Sequence, residues 1–503
     1  LNPLLGVQRL TSRDVIDFWS RSRDFSTPIG MGEKGTFELD LVRDGPHGLV
    51  GGTTGSGKSE FLRSLVSGLA ARHDPTRLTF ILIDFKGGAA FKALEQLPHT
   101  IGTISNLDAQ LAERALLALE AEMRYRMEKF AEAGEGVDNL DAYWATKPTE
   151  PMPRLLLVVD EFAMLAKEYP DVLSALVSVA AVGRTLGVHM ILATQRPAGV
   201  VNDDILANTN MRVALRVQSR EDSSNVIGVP NASAIGREQR GRAYVKLGQD
   251  DITPVQTALV TGRVEEEEAV ELELSDVVFG PPPPPLSKPA AGQSDDTDMD
   301  ELIAAIIEAN AQLGYARPRK VWPEALGERV QLEGFGEPSH RDMPVVGGVQ
   351  NQNVSFAVSD DPRNQRQIPA GWDFERGNLI CVGIPGSGTT TTLASLALTM
   401  CAHFSPQELD LAIFDVSNRD LEPMAKLPHT IAYVGPGTAA REEQVRLLKY
   451  LREEFDRRSV GNASHRKLLV LIDGLAALRE EYQDYVGQPL MEGLYRVYSD
   501  GTD

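Results

Sequence analysis

Gly52-Thr53-Thr54-Gly55-Ser56-Gly57-Lys58-Ser59 decides how the rest of the chain is read. It has the full G-x-x-x-x-G-K-[ST] spacing of a phosphate-cradling loop. His47-Gly48-Leu49-Val50, just ahead, reads as the end of a short apolar strand. Behind it, Glu60 to Arg72 carries Phe61, Leu62, Leu65, Val66 and Leu69 at helical spacing. Glycines let the backbone turn tightly enough to aim successive N–H groups at phosphate oxygens, and the helix N-terminus adds a partial positive charge. Lys58 is expected at the β- and γ-phosphates and the Ser59 hydroxyl on Mg²⁺. The run Gly52 to Ser59, with Glu60 following, is therefore the expected nucleoside triphosphate site. The alternative, a chance Gly/Ser loop, leaves the flanks unexplained.

With 503 residues the chain has room for about three domains. It shows no signal peptide and no apolar run long enough to span a bilayer. Its first residue is Leu1 rather than Met, which suggests a fragment and leaves membrane segments upstream open. Two cysteines, Cys381 and Cys401, are too few for a disulfide framework or a zinc site and fit a reducing cytosol. A net charge of −21 argues against broad nonspecific nucleic-acid binding, although a local basic stripe remains compatible with DNA. Glu265 to Glu268 form an acidic run, and Asp295, Asp296, Asp298, Asp300 and Glu301 cluster nearby; both read as solvated linker charges.

Pro281 to Pro285 and the polar tail behind them mark the clearest break, since polyproline is stiff and the tail cannot bury a core. On either side lies one design in two copies. Asn378-Leu379-Ile380-Cys381-Val382 reads as a strand leading into Gly383-Ile384-Pro385-Gly386-Ser387-Gly388-Thr389-Thr390, and Gly383 follows Gly52 by 331 residues. Phe80 to Asp84 matches Leu411 to Asp415; Leu97-Pro98-His99-Thr100-Ile101 recurs as Leu427-Pro428-His429-Thr430-Ile431; Leu155 to Asp160 parallels Leu468 to Asp473. Short continuous apolar strands alternate with amphipathic helices, which predicts α/β domains with parallel sheets covered on both faces. In the first copy the strands fall near 48–51, 79–84, 155–160, 189–194 and 213–217, and the helices near 58–72, 107–132 and 171–186. The expected boundaries are a first domain over 1–275, a Pro-rich acidic linker and lead-in over 276–318, and a second, C-terminally truncated domain over 319–503.

Arg154 to Val159 is a buried strand ending in Asp160-Glu161. After such a glycine loop, Asp160 is expected in the Mg²⁺ shell and Glu161 at the attacking water. An acidic pair merely capping a strand end is the alternative. His189 to Pro197 closes another apolar strand with Thr194 and Gln195 at its carboxyl end, where ligands sit in open α/β sheets. These two are candidates to sense the γ-phosphate or orient water; ordinary loop capping is the other reading. Arg184 is a candidate transition-state cation presented to a neighbouring subunit, with Arg212 and Arg216 as rivals and a plain surface arginine as the alternative.

In the second copy Thr389 replaces the lysine and Gly474 replaces the glutamate, while Thr390 and Asp473 persist. Threonine supplies no positive charge and glycine cannot orient water, so hydrolysis is not expected there. Gly383, Pro385, Gly386, Ser387, Gly388, Thr389 and Thr390 remain candidates for nucleotide binding, with Thr390 and Asp473 toward Mg²⁺. An empty relic pocket is the alternative.

These residues resemble the FtsK/SpoIIIE branch of P-loop motors and, more narrowly, the type VII secretion ATPases EccC and EssC. The resemblance covers nearly the whole chain outside the linker. It is carried by Gly45 to Val50 running into the P-loop, by Ile83-Asp84-Phe85-Lys86-Gly87-Gly88, by the repeated Leu-Pro-His-Thr, by Val159-Asp160-Glu161-Phe162 and by Gly183-Arg184-Thr185-Leu186-Gly187-Val188-His189. In that family an intact motor domain of RecA-like fold is followed by degenerate copies. DNA-pumping members typically show Asp-Pro-Lys where Asp84-Phe85-Lys86 stands here, and carry one motor domain. The resemblance implies ATP and Mg²⁺ as ligands and a hexameric ring on the cytoplasmic face of the bacterial membrane. It further implies membrane components of the apparatus as partners, WXG100-type proteins as cargo, and Arg184 as a finger acting in trans. DNA translocation is the runner-up function, and a nucleotide-gated scaffold the third.

Overall fold

The computed structural model describes residues 1–85, 90–105, 109–168, 181–197, 203–248, 251–262, 297–322, 349–350, 353–460 and 466–501, with a few single residues between. By contacts the chain divides into Leu1–Pro323 with Pro362–Gln365, and Glu324–Asp361 with Arg366–Asp503. Lys86, Gly87 and Gly88, the linker up to residue 296, and most of the helix expected near 171–186 lie outside the described residues; 181–186 are helical.

In the first unit the strands are β1 (Ser26–Gly32), β2 (Gly35–Asp40), β3 (His47–Gly51), β4 (Leu78–Asp84), β5 (Thr100–Ile104), β6 (Arg154–Asp160), β7 (Val188–Thr194), β8 (Met211–Leu215), β9 (Arg242–Leu247) and β10 (Ile252–Thr257). They form one sheet in the order β2-β1-β10-β9-β8-β3-β7-β6-β4-β5. From β8 to β5 every pairing is parallel. β4, β6 and β7 are buried at every residue, the signature of a sheet covered on both faces. Along β6, Leu156 and Val158 join one core, while Leu155, Leu157 and Val159 join the other, as the two-residue period of a strand requires. The expected parallel strands are thus present. Beyond β8 the sheet continues antiparallel through β9, β10, β1 and β2, an extension whose short segments give little local signal.

Helix α1 (Ser12–Arg21) precedes β1, and α2 (Lys58–Arg72), α3 (Ala109–Ala133), α4 (Leu140–Ala145) and α5 (Phe162–Glu168) connect the later strands. A further helix, Asp298–Leu313, corrects the reading of its acidic start as solvated linker charge. Thr297 and Asp300 form a capping box, and Asp298, Asp300 and Glu301 occupy the first turn, where negative charge meets the positive end of the helix. Met299, Leu302, Ile303, Ile306 and Ala309 then bury into the first unit's core. This helix and the residues up to Pro323 therefore belong to the first unit by contacts, whereas the linker and lead-in were expected to run to 318.

The second unit holds a hairpin of β11 (Val349–Gln350), β12 (Asn353–Asp361) and β13 (Arg366–Asp373), and a parallel sheet in which β14 (Leu409–Asp415) lies between β15 (Thr430–Val434) and β16 (Lys467–Asp473). These three strands reproduce β5-β4-β6. The strand expected over Asn378–Val382 is absent: these residues form no ladder. In the first unit β3 is held between β7 and β8. No counterpart of either stands among the described residues of the second, and Ile380, Val382 and Ile384 are 61%, 89% and 78% exposed. An apolar segment without partners for its N–H and C=O groups gains nothing by being extended. Among the described residues no helix is long and apolar enough to cross a membrane.

Candidate active site

The carboxyl ends of β3, β6 and β7 converge on the loop before α2. Thr53 N donates to Arg216 O at 2.9 Å and Gly52 N to Thr194 O at 3.1 Å, so the loop's entry is stitched to its neighbours. Gly57 takes φ 99°, a left-handed conformation that favours glycine, and a Cβ there would stand 2.9 Å from Gly241 N. The next residue opens α2, which aims the first free amides of the helix at the loop.

Lys58 is buried and pairs directly with Asp160 Oδ1; its Nζ also lies 3.7 Å from Glu161 Oε2. Ser59 Oγ donates to Asp160 Oδ2 at 3.3 Å. Glu161, also buried, stands at φ 63° in the turn between β6 and α5. Its Oε1 accepts from Thr194 Oγ1 at 3.3 Å and Gln195 N at 3.2 Å, and among the described residues its Oε2 has no hydrogen-bond partner. Gln195 Oε1 accepts from Thr54 Oγ1 at 2.9 Å, which closes a loop from the glycine motif to the end of β7. Lys58, Ser59, Asp160, Glu161, Thr194 and Gln195, scattered over more than a hundred positions, therefore meet at one edge of the sheet. Glu60, also expected here, instead accepts from Thr261 Oγ1 at 2.7 Å and pairs with Arg63.

The three arginines separate. Arg212 donates to Thr209 O and Leu206 O, which locks it in a structural role at the start of β8. Arg216 donates to Thr54 O at 3.2 Å and so borders the loop. Arg184 is exposed, and among the described residues it has no ion pair or hydrogen bond. Its helical turn is fixed by the buried Arg126, which donates to Leu186 O at 2.9 Å.

The second loop keeps the backbone. Gly55 and Gly57 at φ 74° and 99° correspond to Gly386 and Gly388 at 83° and 93°, and Thr389 opens a helix over Thr389–His403. Thr390 Oγ1 donates to Asp473 Oδ2 at 3.0 Å. Burial pushes the Asp473 carboxyl above its ordinary value against that hydrogen bond, and Asp415 and Asp420 push it the same way. The repeated Leu-Pro-His-Thr is structural in both copies. His99 Nε2 bonds His73 O at 2.7 Å, and His429 Nε2 bonds Phe404 O at 2.8 Å, each at the end of the helix that follows its glycine loop. What the sequence did not disclose is the left-handed turn at Glu161 and its attachment to Thr194; the glycine at the matching position 474 was the one available signal.

The FtsK/SpoIIIE family model matches residues 17–199 and 350–482, which together exceed half the chain. The chain belongs to the FtsK/SpoIIIE family. Among curated members it is 32% identical over 479 residues to the type VII secretion system protein EssC of Staphylococcus aureus strain Mu50, covering 90% of this chain and 32% of that protein. It is 31% identical over 518 residues to the ESX secretion system protein EccC of Geobacillus thermodenitrificans, covering 96% of this chain and 34% of that protein. This FtsK/SpoIIIE chain thus spans about a third of the length of these relatives. Among solved structures, the cytoplasmic domain of the Thermomonospora curvata type VII secretion ATPase EccC superposes with a TM-score of 0.79 at 27% identity, covering all of this chain and 59% of that one. The fold and the resemblance expected from sequence are borne out.

Proposed function

We propose that this chain is the ATP-hydrolysing part of a type VII protein secretion motor, with the first unit catalytic and the second regulatory or substrate-binding, holding nucleotide without cleaving it. The observation that carries this is the convergence of Lys58, Ser59, Asp160 and Glu161 at the first glycine loop, set against Thr389, Thr390, Asp473 and Gly474 at the second.

Gly52 to Ser59 cradle the phosphates through backbone amides, and Lys58 leaves Asp160 for the β- and γ-phosphates when ATP enters. The hard oxygens of Ser59 and Asp160 fit Mg²⁺, and a lysine ammonium already balances Asp160 where a cation would. Held there with the phosphates, Mg²⁺ would supply positive charge to the leaving oxygens. Glu161 takes the proton of the attacking water, and Gln195 helps to hold that water. Exposed and rigidly mounted, Arg184 serves the site of a neighbouring subunit in a homo-hexamer. In the second unit, Gly383, Pro385, Gly386, Ser387, Gly388 and Thr389 hold nucleotide, with Thr390 and Asp473 toward Mg²⁺. The relatives' names, type VII and ESX secretion system proteins, support a place in a secretion apparatus; WXG100-type proteins as cargo, membrane components as partners and the cytoplasmic face of the bacterial membrane as the location are the finer reading proposed with it.

Phosphate release tests the catalytic part. Lys58→Ala should lose nucleotide binding at the first site, while Glu161→Gln should bind ATP and fail to cleave it. Mixing Arg184→Ala with Glu161→Gln subunits should restore some turnover, since an intact Glu161 then meets an intact Arg184. Turnover of the whole motor stimulated by duplex DNA, and not by a WXG100-type protein, at about 0.15 M salt would move the chain to DNA translocation.

A further inference from the structure

Glu161 is used one oxygen at a time. Oε1 takes two hydrogen bonds from the end of β7, from Thr194 Oγ1 and Gln195 N, while Oε2 is buried and has no hydrogen-bond partner. The Thr194 hydroxyl is itself directed, because its oxygen accepts Arg196 N at 3.1 Å and its hydrogen is left for Glu161. Thr194 is fully buried, and its carbonyl accepts Gly52 N, the first amide of the glycine loop. The anchor therefore stands on the sheet and shares its strand end with the phosphate loop.

We propose that Thr194 is a positioning residue for Glu161: its hydroxyl fixes Oε1, so that Oε2 alone faces the attacking water. In that step the water oxygen bonds to the γ-phosphorus, the bond from that phosphorus to the β–γ bridging oxygen breaks, ADP leaves with the electron pair, and the water proton passes to Oε2. A carboxylate free to rotate in the left-handed turn at Glu161 would spend part of its time with neither oxygen in reach. This inference rests on Glu161 as the base.

The test is steady-state phosphate release by the full chain, with ATP binding followed separately by thermal shift. Thr194→Val keeps the shape and removes the hydroxyl; kcat should fall on the order of 10- to 100-fold, the scale of a small misplacement, with KM and the ATP-induced shift unchanged. Thr194→Ser should recover most of the rate. An unchanged rate in Thr194→Val, or equal losses in the Val and Ser variants, would overturn the proposal, the second result showing that keeping the hydroxyl rescues nothing. Should Thr194→Val not fold, the Ser and Ala variants carry the same comparison. A Glu161→Gln control separates the two readings: turnover in that variant sinks the base itself, whereas an inactive control beside a fully active Thr194→Val sinks only the positioning role.

Discussion

At the first glycine loop Lys58 sits on Asp160 and Glu161 is docked at the end of β7; at the second, Thr389 and Gly474 hold the same backbone positions and Asp473 keeps the Thr390 hydroxyl. The two loops match in their glycine torsions and in the helix each one opens. Shape alone therefore does not separate them. Charge does: a buried carboxylate beside a lysine is balanced, whereas burial and two neighbouring aspartates push Asp473 toward its protonated form. Backbone geometry at a nucleotide loop outlasts the chemistry that used it.

The largest effect expected from this contrast is on turnover. Glu161→Gln should reduce phosphate release by at least about a hundredfold, the usual contribution of a general base. If the second unit hydrolysed ATP, the variant would retain a matching fraction. Substantial residual release that Lys58→Ala also leaves intact would break the comparison.

Much of this was legible before the structure. The spacing from Gly52 to Ser59 and the buried run ending in Asp160-Glu161 depend only on local pattern, and both landed where the pattern placed them. Features that depend on partners far along the chain were not. Asn378–Val382 has the composition of a strand and is none, because a strand exists through its neighbours. The helix Asp298–Leu313 was hidden by its own capping acids, which resemble linker charge until the buried Leu302, Ile303 and Ile306 are seen behind them. The contacts of Glu161 with Thr194 follow from the pairing of β6 with β7, which sequence spacing does not state.

Acid should act strongly on the first unit. Burial pushes the imidazoles of His99 and His189 down to about 3 and that of His73 down to about 4, so all three fold neutral. Their unfolded forms take a proton below about 6.5, so the unfolded state binds more protons between that pH and the folded values. Stability is then full above pH 6.5 and falls as pH drops toward 4, by up to about 1.4 kcal/mol per unit for each histidine. Denaturant midpoints across that window measure it, and a flat profile would contradict the burial.

Grafting the missing groups onto the second loop sharpens the contrast further. Thr389→Lys offers Asp473 the partner that Asp160 has and should stabilise the ligand-free protein by roughly 1 kcal/mol. Gly474→Glu should instead destabilise by about 1–3 kcal/mol, because a Cβ at that glycine would collide with Ser417 Oγ and stand 2.9 Å from Val416 Cγ2. The double variant should still release no phosphate beyond the Glu161→Gln background. Recovery of turnover would show that the two units differ in these side chains alone.

The smallest effect is the most direct reading of why the two turns differ. Glu161 and Gly474 both take positive φ, 63° and 87°, so the turn from β6 or β16 into the next helix requires a left-handed residue in either copy. A non-glycine residue there costs about 1–2 kcal/mol, and the second copy avoids that cost. Glu161 also keeps a buried oxygen with no hydrogen-bond partner, an additional desolvation penalty. Against these stand its two hydrogen bonds to β7 and its proximity to Lys58, which a glycine would lose. Glu161→Ala and Glu161→Gly lose the same carboxylate and differ in the backbone, so their comparison isolates the turn. Glycine should be the more stable by about 1 kcal/mol, with both inactive. Equal denaturation midpoints for the two would mean that the turn relaxes without its glutamate, and that the strain is imposed by the carboxylate's attachment to Thr194 rather than by the fold.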